Sequence, residues 1–101
     1  MALPHGALAD VSSGDVATLG AYTQAFEKRL GRPTQSDQSA RAQAGCLLGA
    51  FDAHGGDEAQ SALMDMMQRV AGQSEFDDPL VVSFNEAYGA VYARALRQCA
   101  P

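Results

Sequence analysis

Ser39-Ala40-Arg41-Ala42-Gln43-Ala44-Gly45-Cys46-Leu47-Leu48-Gly49-Ala50-Phe51-Asp52-Ala53-His54-Gly55-Gly56 is the stretch on which the fold turns. Ala40, Ala44, Leu47, Leu48 and Phe51 recur at three and four residues, the period of one buried helical face. Thr34 followed three residues later by Asp37 has the spacing of a capping box with the shorter acid, so this helix opens near residue 35. His54-Gly55-Gly56 stops it after Ala53. Gly45 and Gly49 sit one turn apart, and each costs up to about 1 kcal/mol relative to Ala inside a helix. That cost predicts compensation, in the form of a neighbouring helix in close approach at the two glycines with Cys46 beside the contact.

Working outward, Val16, Leu19, Tyr22, Thr23, Phe26 and Leu30 share a helical face upstream. Ser13 is its natural N-cap, Asp15 suits its positive end, and Lys28 and Arg29 suit its negative end before Gly31-Arg32-Pro33. Downstream, Asp57 caps a helix with a stripe of Ala59, Leu63, Met66, Met67 and Val70, which Gly72 ends. A loop through Asp77 leads to Asp78-Pro79, an N-cap with proline at the first helical position. Leu80, Val81, Phe84, Tyr88, Val91, Tyr92, Ala95 and Leu96 then keep a helical period to Cys99. Ser83 with Glu86 offers a second start, which would break this helix near Val82. Leu80-Val81-Val82 is too short to compete as a strand. The expectation is an all-α, single-domain bundle of about four helices over 14–30, 35–53, 58–71 and 79–98. Residues 1–12, rich in Ala, Gly and Pro without a period, read as a flexible N-terminal arm before a helical domain over 13–101.

At 101 residues the chain holds one domain. Its 47% hydrophobic and 19% charged residues are those of a folding chain. Seven Lys and Arg against twelve Asp and Glu leave a net charge of -5. With no basic cluster, that balance argues against a nucleic-acid partner. No apolar run is long enough for a membrane span, and the first residues have no signal-peptide pattern. The chain is therefore either internal or a mature fragment whose signal was removed.

Few side chains suggest chemistry. His5 and His54 lack a partner at i+3 or i+4, so no histidine metal site is expected. His54 reads as a dipole partner at a helix end. A nucleophilic pair of Cys46 with His54 would need side chains aimed across two helical turns. Asp57, Glu58, Asp65, Asp77 and Asp78 lack the alternating spacing of a calcium loop and read as caps and a solvated face. Met64, Met66 and Met67 read as core rather than as a soft binding groove. Tyr22, Tyr88 and Tyr92 read as core-edge residues whose hydroxyls reach water. Cys46 and Cys99 cannot complete a four-ligand zinc site; the residues alone leave either two free thiols or one disulfide. No cofactor and no metal are expected.

The block Ser39 to Phe51 resembles the second conserved block of the neutral zinc metallopeptidases, which reads roughly Ser-x-x-x-Glu-Leu-Gln-Ala-Asp-Cys-x-Ala-Gly-x-Trp. Gln43, Ala44, Cys46 and Gly49 match it without a gap. Thr18-Leu19-Gly20-Ala21-Tyr22 would occupy the family's HExxH turn, in which two histidines grip zinc and the glutamate activates water. Here Thr18, Leu19 and Tyr22 stand at those positions, and Arg41 and Gly45 replace the family's Glu and Asp. The likeness continues into Ser83-Phe84-Asn85-Glu86-Ala87 and on to Cys99, where secreted members tend to carry a late cysteine. The resemblance implies a non-catalytic, metallopeptidase-like helical domain, exported to the periplasm, cell surface or medium, with Cys46 bonded to Cys99. Its role would be binding a protein or peptide in the former substrate groove, with Thr18 and Tyr22 on the floor. The rival is a small acidic intracellular inhibitor or immunity-type protein that masks a basic partner. An active hydrolase ranks behind both.

Overall fold

The structure, a computed structural model, describes residues 11–72 and 77–101. The arm expected over 1–12 lies outside the described residues except for Val11 and Ser12, as does the loop at 73–76. Among the described residues all three elements are helices: α1 Ser13–Arg29, α2 Asp37–Ala71 and α3 Pro79–Gln98. The class is all-α as read, and the described residues hold three elements where about four helices were expected. The second and third expected helices are one element broken inside by Gly55 (φ -153°, ψ 21°) and Gly56 (φ 64°, ψ -149°). Gly56 holds a left-handed backbone that L side chains rarely adopt, and a Cβ on Gly55 would lie 3.1 Å from Ala59 Cβ. The helix stop was therefore real, yet only two residues long, and helical backbone resumes at Asp57. Gln60, a buried polar residue, donates to Asp52 Oδ1 across the break at 2.9 Å.

Each helix start shows a side-chain cap, two of them shifted from expectation. Ser12, not Ser13, caps α1, accepting from the Asp15 amide at 2.9 Å. Ser36, not Thr34, caps α2, accepting from the Ser39 amide at 3.1 Å. In both places the serine stands three residues before the amide that it satisfies, the reach of a short hydroxyl. Asp78 caps α3 as expected, accepting from the Leu80 amide at 2.9 Å, with Pro79 in the first turn. Val82 N–H donates to the Asp78 carbonyl at 2.9 Å, so α3 runs unbroken through the point where Ser83 might have restarted it. Gly31 and Arg32 close α1, donating to Lys28 and Glu27 carbonyls in a Schellman pattern.

α2 is the centre of the molecule, and α1 and α3 pack on it rather than on each other. All ten residues read as its two apolar stripes are buried. From α1 only Leu19 and Gly20 are buried; from α3, Val81, Phe84 and Ala95 are. Phe51, Leu19, Leu48 and Leu63 are fully enclosed, each contributing about 1.5–3 kcal/mol of apolar burial. Leu30 and Leu96, counted on apolar faces, are exposed. Leu30 lies beyond the last helical residue of α1, where the chain turns away from the core.

The close approach of helices is not where the sequence put it. A Cβ on Gly49 would meet nothing within 4 Å, and one on Gly45 only Val16 Cγ2 at 3.9 Å. The tight contact is at Gly20 of α1, where a Cβ would lie 3.4 Å from the Ala40 carbonyl carbon and the Arg41 nitrogen. Gly45 and Gly49 follow the buried Ala44 and Leu48 by one residue, which turns them about 100° off the packed face.

Candidate functional site

Cys46 and Cys99 lie at disulfide distance, their Cα atoms 5.7 Å apart and 53 positions apart in sequence. The spacing falls within the ordinary range for a bridge. Cys99 is buried and Cys46 exposed, so the junction of α2 with the end of α3 is sealed on one side and open on the other. A cleft of about 550 Å³ with a mixed lining opens beside it, edged by Gln38, Ser39, Gln43 and Gln98 together with Ala42, Ala100 and Pro101. Two of the residues that carry the family resemblance, Gln43 and Cys46, line this cleft.

Two of its edge residues, Ser39 and Gln43, belong to a hydrogen-bond network that extends away from the cleft. Gln35 N–H and Nε2 donate to the two carboxylate oxygens of Glu27 at 2.9 and 2.7 Å, and Nε2 also to Gln43 Oε1 at 3.0 Å. Ser39 Oγ donates to Gln35 Oε1 at 2.6 Å. Gln24 Nε2 donates to the Gln35 carbonyl and to Asp37 Oδ1 at 3.0 and 2.8 Å. This network pins the α1–α2 connection. Sequence reading missed it, because its members lie four to thirteen positions apart with no periodic signal.

Thr18 is exposed on α1 and Tyr22 is half-buried against the core. Neither lines the cleft beside Cys46 or the two hollows described next. Leu19, between them, is fully buried. Among the described residues no three His, Cys, Asp or Glu side chains gather where they could hold a metal ion. No helix among them is long and apolar enough to cross a membrane.

An apolar groove of about 370 Å³ runs between the second half of α2 and the start of α3. Its α3 wall includes Leu80, Phe84 and Tyr88, which succeed one another at four residues and so line up along one helical edge, with Ser83 and Ala87 beside them. Ala62 forms the low part of the α2 wall, with Glu58 and Asp65 on either side of it along the helix. The aromatic wall is rigidly backed. Phe84 stacks on Phe51, centroids 5.9 Å apart and planes 11° apart, and Tyr88 packs against Phe84 at 5.5 Å and edge-on to His54 at 5.9 Å. Tyr92 completes the cluster at 5.6 Å from Phe84. Its hydroxyl donates to Met67 Sδ at 3.6 Å instead of reaching out as expected, and burial pushes its pKa above the ordinary tyrosine value.

Asp65 also borders a second hollow of about 490 Å³, together with Asp15 and Asp57. Glu58, Asp65, Asp15 and Asp57 thus line the two hollows, which share Asp65. None of the seven Lys and Arg residues lines either hollow. Arg69, one turn beyond Asp65, faces Asp78 at 3.9 Å.

Set beside known proteins, the chain matches no family model, no curated protein and no solved structure. The resemblance to the neutral zinc metallopeptidases thus rests on its sequence block alone.

Proposed function

We propose that this chain is a non-catalytic, metallopeptidase-like helical domain, exported and stapled by Cys46–Cys99, that acts by holding a segment of a protein or peptide partner. The observation that carries the binding role is the groove between α2 and α3. It is concave, apolar and backed by a stacked aromatic cluster, the kind of surface into which partner segments dock. A groove walled by rigid rings loses little side-chain entropy when it is filled. The cysteine pair supports export, since lasting disulfides belong to oxidising compartments. At the positions that resemble the metallopeptidase zinc turn, Thr18, Leu19 and Tyr22 offer no zinc-binding side chain of that family's kind.

Selection of a random peptide library on the oxidised protein tests the binding role. Enriched peptides should lose binding to Ala87→Trp, which fills the groove from an exposed position on its lip. They should keep binding to Ala42→Trp in the cleft beside Cys46. Enriched peptides that ignore the first variant and lose binding to the second would overturn the assignment of the groove.

A further inference from the structure

The charge around the groove identifies the occupant more closely. Glu58 and Asp65 are exposed and lie seven positions apart on α2, so their carboxylates are spaced by two helical turns, about 10 Å along the axis. Ala62 lies between them on α2, and Leu80, Phe84 and Tyr88 form the apolar wall opposite on α3. Asp15 and Asp57 add negative charge in the adjoining hollow, and no Lys or Arg lines either one.

An anionic or neutral polar occupant would leave these carboxylates uncompensated, and a purely apolar one would ignore them. Cations two turns apart on a partner helix, with an apolar anchor between, match both the spacing and the floor. We infer that the groove receives a cationic amphipathic helix of a protein partner: apolar side chains one turn apart face Phe84 and Tyr88, and Lys or Arg two turns apart reach Glu58 and Asp65. This rests on the groove being the docking site.

The test uses the full oxidised chain and three synthetic helical peptides of about 20 residues, long enough to populate helix in isolation. They share one Leu/Phe anchor face and differ only in carrying Lys, Gln or Glu at the two flanking positions. Binding is followed by fluorescence anisotropy at low salt and at about 0.3 M salt, where the screening length is well under 10 Å. The Lys peptide is expected to bind tightest and to weaken with salt. Glu58→Gln and Asp65→Asn should each weaken it roughly threefold, and together about tenfold, the range of single exposed charge pairs. In Glu58→Lys/Asp65→Lys the order should invert, with the Glu peptide the better ligand; that inversion cannot arise from a damaged fold. If all three peptides bind equally and all are lost with Ala87→Trp, the cationic partner is overturned while the docking groove stands. If none binds, or binding persists in Ala87→Trp, the groove itself is overturned as the docking site.

Discussion

Replacing both Cys46 and Cys99 with alanine removes the one covalent tie between the first half of α2 and the end of α3. The bridge spans 53 positions of sequence, and a closed loop of that size restricts the unfolded chain by about 4 kcal/mol on the chain-entropy model. A domain of this length has about 5–15 kcal/mol of net stability, so the bridge accounts for a large share of it. Cys99 is buried, whereas Cys46 is exposed. Truncating Cys99 therefore adds a small packing loss, and truncating Cys46 adds little. Each single alanine variant, with its remaining thiol blocked, should fall by nearly the same 4 kcal/mol as the double. Either change breaks the same bond, so the two are strongly non-additive. Guanidinium denaturation followed by circular dichroism measures the loss, and the melting temperature should fall by roughly 20 °C. A double variant within about 1 kcal/mol of the parent, or single losses that add up, would refute the reasoning.

The tight contact at Gly20 makes Gly20→Val costly by about 1–3 kcal/mol, since α1 must lift off Ala40 to admit the branched side chain. Gly49→Ala should instead stabilise α2 by about 0.5–1 kcal/mol, because its methyl meets no neighbour; both are read from denaturation midpoints. Ser12→Ala should cost about 1 kcal/mol by removing the α1 cap, while Ser13→Ala should be nearly silent in the same assay. The raised pKa of Tyr92 sets a pH dependence. As pH rises past the unfolded tyrosine value near 10, the unfolded chain releases this proton first, so stability present below that pH is lost above it. Denaturation midpoints taken between pH 8 and pH 11 should fall at the alkaline end, and Tyr92→Phe should reduce the fall.

The helical class and the interior of α2 were legible in the sequence because periodicity reports burial directly: Ala40 to Phe51 and Ala59 to Val70 carry it without interruption. The caps were legible only to within a residue or two, since Ser12 beside Ser13, and Thr34 beside Ser36, are chemically interchangeable candidates. The glycine pair misled because spacing reveals that two residues share a face but not what lies opposite it. Gly45 and Gly49 are paired along α2, yet the neighbour approaches at Gly20 of another helix. Three elements stand among the described residues where about four helices were expected, because a stop of two glycines divides two helical stretches without supplying a loop between them.

The groove left partial traces in the sequence. Leu80, Phe84 and Tyr88 stood out as an apolar stripe, and Glu58 and Asp65 as charges on a solvated face. That the stripe and the charges meet across two helices depends on the packing of α3 against α2, which no local pattern encodes. The Gln35 network was invisible for the same reason.

The binding role is tested most directly by titrating ¹⁵N-labelled oxidised protein with the Lys-bearing helical peptide and mapping the amide shifts. Saturable changes are expected to concentrate on residues 58–65 and 80–88, on the two walls of the groove. Changes confined to the cleft at residues 36–46 and 98–101, or no saturable change at all, would contradict it.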